Sequence, residues 1–251
     1  MSARNSFIDG PNGRLAFRRQ RGEGPGAFWL GGFASDMTGT KANFLADWAA
    51  RAGRAFVRFD YSGHGASAGR FADGTISAWL DDALAVFDAL TDGPQVLVGS
   101  SMGGWMASLL ALRRAERIAG LALVAPAPDF TEELIWKELP DAERAQLMRE
   151  GRIEEPSPYG GTSVITRRLI EDGRKHLVLG APIAIERPVR ILHGMKDVDV
   201  PYAHALRFAD RLASRDVILT LIKEGDHRLS SEPDLARLAS AVEGLAAGSR
   251  C

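Results

Sequence analysis

The chain has 251 residues, enough to bury the core of one ordinary domain and too few for two large ones. Hydrophobic residues make up 45% and charged residues 25%, which excludes a disordered or collagen-like chain. The 31 basic residues are offset by 32 acidic ones, leaving a formal net charge of -1 and no basic patch for nucleic acid, while a single cysteine, Cys251, excludes an intramolecular disulfide or cysteine metal cluster.

Residues 1–7 hold one arginine and no apolar run of signal length, and no segment reaches the roughly 20 apolar residues of a membrane span. A cytoplasmic location without a membrane span is therefore expected. Short apolar runs at 27–30, 55–59, 95–98, 121–124, 189–192 and 217–222 read as strands. Helical patterns at 41–51, 76–90, 102–113, 203–212 and 233–245 lie between them. Such alternation predicts a single α/β domain over 1–251, built on a mostly parallel twisted sheet flanked by helices, with its site beyond the carboxyl ends of the strands. Residues 127–187 are too long for a simple crossover and are read as an inserted helical cap, with Pro156, Pro158, Gly160 and Gly161 interrupting it before a further helix over 162–179.

After the first of these strands come Gly31, Gly32 and Phe33, whose backbone freedom lets N–H groups turn inward; the Phe33 amide is expected as one oxyanion donor. The Gly63-His64-Gly65 turn after the second strand lacks phosphate-loop and dinucleotide spacing and reads as structural. The third strand runs into Gly99-Ser100-Ser101-Met102-Gly103 and then an apolar helix. That order of strand, Gly-x-Ser-x-Gly and helix predicts a nucleophile elbow with Ser101 at its apex and the Met102 amide as the second oxyanion donor.

A serine hydroxyl needs a base to remove its proton and a carboxylate to orient that base. In this kind of site the chain order is Ser, acid, His. Of the five histidines, His64 precedes Ser101, His193 precedes the acids, His176 falls in the cap and His204 in a helix, which leaves His227. For the acid, Asp197 is preferred to Asp199, which is read as a cap for the helix near Pro201, and to Asp226, whose side chain is expected to point away from its neighbour's ring. No metal-ligand spacing or cofactor fingerprint is found, so no metal and no cofactor is expected.

The segments Phe59-Asp60-Tyr61-Ser62-Gly63, Val98 to Trp105, Leu192-His193-Gly194-Met195-Lys196-Asp197 and Asp226-His227-Arg228 resemble the α/β-hydrolase superfamily, in its branch of mitochondrial palmitoyl-protein thioesterases that are also acyl-glucuronide esterases. The resemblance implies the α/β-hydrolase fold and a Ser101, Asp197, His227 hydrolase of acyl esters or S-acyl thioesters, acting on a small-molecule or S-acylated protein substrate. A serine peptidase and a non-catalytic binding protein of the same fold are the alternatives. Ile135, Trp136, Leu139, Leu147 and Leu177 in the cap are expected to contribute an apolar acyl pocket. The oligomeric state is left open.

Overall fold

The computed structural model describes residues 5–156 and 162–248. Pro158, Gly160, Gly161 and Cys251 lie outside the described residues. The chain opens with an antiparallel hairpin, β1 (Ser6–Gly10) and β2 (Gly13–Gln20), that the apolar runs did not predict. There follow β3 (Glu23–Leu30), β4 (Arg54–Phe59), β5 (Gln95–Ser100) and β6 (Ile118–Val124), then the pair β7 (Arg152–Pro156) and β8 (Thr162–Thr166), and last β9 (Val189–Gly194) and β10 (Val217–Ile222). The main sheet has eight strands in the order β1-β2-β4-β3-β5-β6-β9-β10, parallel from β4 onward. This is the mostly parallel sheet that the alternating pattern predicts.

Both faces of the parallel strands are covered, as their near-continuous apolar sequence demands. On one face Phe28, Leu30, Leu97, Leu121 and Leu123 pack against α2 (Ile76–Leu90), α3 (Met102–Arg113) and α6 (Tyr202–Arg211). On the other, Trp29, Val96, Val98 and Ala122 meet α1 (Thr40–Ala52) and α7 (Glu232–Gly248). Each fully buried Leu or Phe contributes roughly 1.5–3 kcal/mol of transfer free energy, so the two clusters hold the strand ends rigid. Helix α2 shows the local logic: Thr75 caps it by accepting from the Ala78 amide at 3.1 Å, and Ile76, Trp79, Leu80, Ala83, Val86 and Phe87 recur on its buried face.

Between β6 and β9 lies the predicted insert. It contains a π-helical turn (Thr131–Trp136), α4 (Asp141–Glu150), the β7/β8 hairpin, α5 (Arg167–Gly173) and a short 3₁₀ turn (Arg174–His176). The insert is thus mixed rather than helical, and the helix expected over 162–179 starts as a strand: the β-branched Val164, Ile165 and Thr166 favour extended backbone. Leu139, Leu147, Ile153, Ile165 and Ile170 form a small core within the insert. Its two ends are tied by Asp129, whose carboxylate accepts from the Val178 and Leu179 amides, each at 2.8 Å. Asp172 fastens it to α2 by accepting from Ser77 N and Oγ at 2.7 and 2.9 Å.

Candidate active site

Four loops leave the carboxyl ends of the parallel neighbours β5, β6, β9 and β10, so the topology alone gathers what they carry at one edge of the sheet. At the end of β5, Ser101 has φ 55° and ψ −120°, a conformation that a non-glycine residue adopts only under constraint. The constraint is visible. Ser101 N donates to Val124 O at 2.9 Å, and Ser101 O accepts from Gly104 N at 2.8 Å and Ala127 N at 3.1 Å. A Cβ on Gly99 would lie 2.3 Å from Gly103 O, and one on Gly103 would lie 2.0 Å from Leu30 O. Both motif glycines are therefore demanded by backbone passing backbone, which presses the start of α3 against the end of β3.

That contact brings the Gly31-Gly32-Phe33 loop to the elbow: a Cβ on Gly32 would sit 3.3 Å from Ser100 O and 3.5 Å from Ser101 Cβ. Ser35 Oγ closes the loop onto Gly32 O at 2.7 Å. Further along, Asp60 Oδ1 accepts from Met37 N at 2.7 Å and Arg58 donates to Met37 O at 2.9 Å. Among the described residues no backbone carbonyl accepts from the Phe33 or Met102 amide. The Phe33 ring is held by edge contacts with Phe71, Trp79 and Phe130 at centroid distances of 4.8, 6.0 and 5.6 Å.

His227 follows β10 and Asp197 follows β9. Their loops touch, for a Cβ on Gly194 would meet Gly225 O at 2.3 Å, and Lys196 N donates to Gly225 O at 2.9 Å. His227 Nδ1 stands 2.7 Å from Asp197 Oδ2, with the Asp197 side chain wholly buried. The ring's loop is braced by Asp226, which accepts from Leu229 N at 2.9 Å, and by Lys41, which reaches from α1 to Arg228 O at 2.5 Å. Burial pushes the Lys41 ammonium down to about 8. No hydrogen bond joins Ser101 Oγ to the His227 ring among the described residues, a contact that commonly tightens only when substrate binds.

The reason given above for setting Asp199 aside does not hold, because α6 has Pro201 at its N-cap and no side-chain cap. What distinguishes Asp197 is different. Its Oδ1 accepts from Asp199 N and Val200 N at 3.0 and 2.8 Å while Oδ2 faces His227. Asp197, Asp199 and His227 each present a potential metal ligand within 4.8 Å of one another, and within this group His227 Nδ1 and Asp197 Oδ2 are engaged with each other.

The remaining histidines are placed elsewhere. His64 is buried beneath the β4 turn, His176 Nε2 bonds Ser77 Oγ at 2.7 Å, and His204 Nε2 lies 2.7 Å from Pro128 O. His193 is the surprise: chain order dismissed it, yet its Nε2 lies 3.4 Å from Asp197 Oδ2. In the insert, Leu139 and Leu147 are buried in its own core and Leu177 is 43% exposed, whereas Ile135 and Trp136 are half-buried, and Ile135 and Phe33 pack against both the main core and the insert's core. Two open grooves, of about 560 Å³ beside Ile218 and Ala241 and about 520 Å³ beside Arg19 and Gln95, lie away from Ser101. No helix among the described residues is long and apolar enough to cross a membrane.

Comparison with known proteins adds independent findings. A family model described as serine aminopeptidase, S33, matches residues 30–158. The mitochondrial palmitoyl-protein thioesterase ABHD10 of mouse is 38% identical over 233 residues, covering 92% of this chain and 78% of that protein. A solved structure of mouse alpha/beta hydrolase domain-containing protein 10 superposes with a TM-score of 0.90 at 37% identity, covering 97% of this chain and 98% of the other. A solved structure from Agrobacterium vitis S4 reaches a TM-score of 0.93 at 45% identity, with the same coverage of 97% and 98%.

Proposed function

The chain belongs to the α/β-hydrolase family, and from that premise we infer that it is a serine hydrolase of acyl thioesters and esters, with Ser101 as nucleophile, His227 as base and Asp197 as orienting acid. The observation that carries the residue assignment is the 2.7 Å contact between His227 Nδ1 and the buried Asp197 carboxylate, on loops that leave the same sheet edge as the Ser101 elbow. The Asp197 contact makes Nδ1 the protonated nitrogen and leaves Nε2 free to take the serine proton.

In the proposed cycle Ser101 Oγ attacks the acyl carbon as its proton passes to His227. The tetrahedral oxyanion is met by the Phe33 and Met102 amides, and its collapse expels the thiol or alcohol with the proton returned by His227. Water, deprotonated by His227, then attacks the acyl-enzyme, releases the carboxylic acid and restores Ser101. Residues 127–187 serve as a cap within one domain over 1–251. Phe33 and Ile135 at the seam between cap and core, with Trp136 on the cap's own core, are its acyl-facing side chains, in place of the self-buried Leu139 and Leu147. The substrates are small acyl esters and thioesters or S-acylated proteins; the S-acylated proteins are supported by the name of the mouse relative, a palmitoyl-protein thioesterase. A cytoplasmic location stands against relatives named mitochondrial, and cell fractionation decides between them.

The description of the matching family model as a serine aminopeptidase supports a second reading, amide cleavage. The test of both is a homologous series of acyl thioesters beside matched amides, with wild type and Ser101→Ala. Thioester cleavage should exceed amide cleavage, and efficiency should rise with acyl length, by up to about 0.8 kcal/mol for each methylene that becomes buried. Loss of Ser101 should cost on the order of a millionfold in turnover. Faster amide cleavage would replace the thioesterase reading by the peptidase one, and equal rates at all lengths would remove the acyl-binding seam.

A further inference from the structure

We propose that His193 is a positioning residue that holds the Asp197 carboxylate in register with His227; this rests on the triad proposed above. His193 stands on β9, four residues before Asp197, and none of its side chain is exposed. Its Nε2 lies 2.8 Å from Val200 O. A carbonyl only accepts, so Nε2 must carry the proton and spends it on Val200 O; Asp197 Oδ2, the oxygen that receives His227 Nδ1, lies 3.4 Å from the same nitrogen without a hydrogen bond to it.

The contacts form a chain through Val200: His193 Nε2 donates to Val200 O, and Val200 N donates to Asp197 Oδ1 at 2.8 Å. Val200 is thereby gripped at both ends of its backbone, and Asp197 is fixed on both oxygens: Oδ1 by the Asp199 and Val200 amides, the second of which His193 holds in place through Val200 O, and Oδ2 by His227. A carboxylate so held has no freedom to rotate about its terminal torsion, which is broad in an unconstrained Asp. The catalytic imidazole inherits that rigidity.

His193 Nδ1 is buried without a hydrogen-bond partner among the described residues, so the ring's polar work is done by Nε2 on Val200 O, and an apolar ring there would leave that carbonyl without its donor. Burial also holds this imidazole below its ordinary pKa, against the opposing pull of the Val200 contact and Asp197, with His227 adding to the burial effect, so it acts as a neutral donor.

The test compares His193→Phe, which keeps a planar ring and removes the N–H, with His193→Gln, whose amide nitrogen can reach the position of Nε2. Each is measured for kcat and KM on an acyl thioester and for thermal midpoint. His193→Phe should lower kcat by up to about 10²-fold, as displacement of a catalytic group by an ångström does, with KM unchanged within about twofold. His193→Gln should recover most of that loss. Wild-type kcat in both variants, or an equal loss in both while they stay folded, would overturn the proposal; should His193→Phe not fold, the Gln variant decides alone, near-wild-type kcat supporting it and a Phe-sized loss overturning it. Asp197→Asn in the same assay separates this inference from the reading beneath it: full activity there would mean the acid itself is wrong, whatever His193 does.

Discussion

Two glycine-rich turns flank β3, one after β5 and one after β4; both leave polar atoms unbonded, but those of the second, Tyr61 Oη and His64 Nε2, are buried, whereas Ser101 at the first is partly exposed. At the elbow, the Ser101 backbone is fully engaged with Val124, Gly104 and Ala127, while Ser101 Oγ has no hydrogen bond among the described residues. In the turn after β4, the polar groups face inward. Asp60 accepts from Met37 N and Ala66 N at 2.7 and 2.8 Å, Ser67 Oγ donates to Asp60 O at 2.6 Å and accepts from Ala16 N at 2.8 Å, and Ser62 N donates to Asp82 Oδ2 at 2.8 Å. His64 is sealed among Tyr61, Phe71 and Trp79. Both turns use left-handed backbone, with φ 55° at Ser101, strained for a residue with a Cβ, and 47° at Gly65, which glycine adopts freely. Positive φ and glycines therefore mark a tight turn; reactivity needs, in addition, a functional atom that is neither consumed by the turn's own bonds nor sealed from substrate.

The comparison is tested most severely at the acid. Asp197→Asn should reduce kcat by on the order of 10⁴-fold, because an amide at Oδ2 no longer holds the working His227 tautomer, while Asp199→Asn should cost far less. Steady-state kinetics of the two purified variants give the ranking, and the reverse order would move the acid to Asp199.

In the turn after β4 the expected effect falls on stability instead. A Cβ on Gly65 would lie 2.2 Å from Asp60 Oδ2, in a left-handed conformation that itself costs roughly 1–2 kcal/mol. Gly65→Ala should therefore lower the unfolding free energy in urea by more than about 1 kcal/mol, with kcat per folded molecule unchanged. A large kcat loss at full stability would show that this turn takes part in catalysis.

The smallest effect concerns acid. Burial pushes His64 down to about 4, from an ordinary value of 6.5. Between those values the unfolded chain binds a proton that the folded chain refuses, so stability is intact above pH 6.5 and falls as pH drops toward 4, by at most about 1.4 kcal/mol per pH unit from this group. His64→Phe should flatten the acid side of the stability profile between pH 4 and 6.5, and an unaltered slope would contradict the buried neutral imidazole.

How much of this was legible follows from the signals involved. Helices α2 and α3 and strand β10 have the bounds that apolar periodicity predicts, since each buries a face or run against the sheet. The elbow was readable because a tight strand-to-helix turn needs its glycines at 99 and 103. The β1/β2 hairpin was missed: β1 is largely exposed and lacks an apolar run, although Asn12-Gly13, where the turn enters β2, is a strong hairpin signal. The β7/β8 hairpin hid inside a segment read by helical spacing, despite its β-branched stretch. His193 was invisible to reasoning by chain order, because its contact with Asp197 arises from how the Asp197–Val200 turn folds back over β9.

The central claim, that Ser101 is the reactive atom's residue, is tested most directly by reacting the folded protein with a fluorophosphonate probe and mapping the adduct by peptide mass spectrometry. The account predicts a single stoichiometric adduct on Ser101 and none on folded Ser101→Ala; an adduct on Ser100, or undiminished labelling of the Ser101→Ala protein, would contradict it.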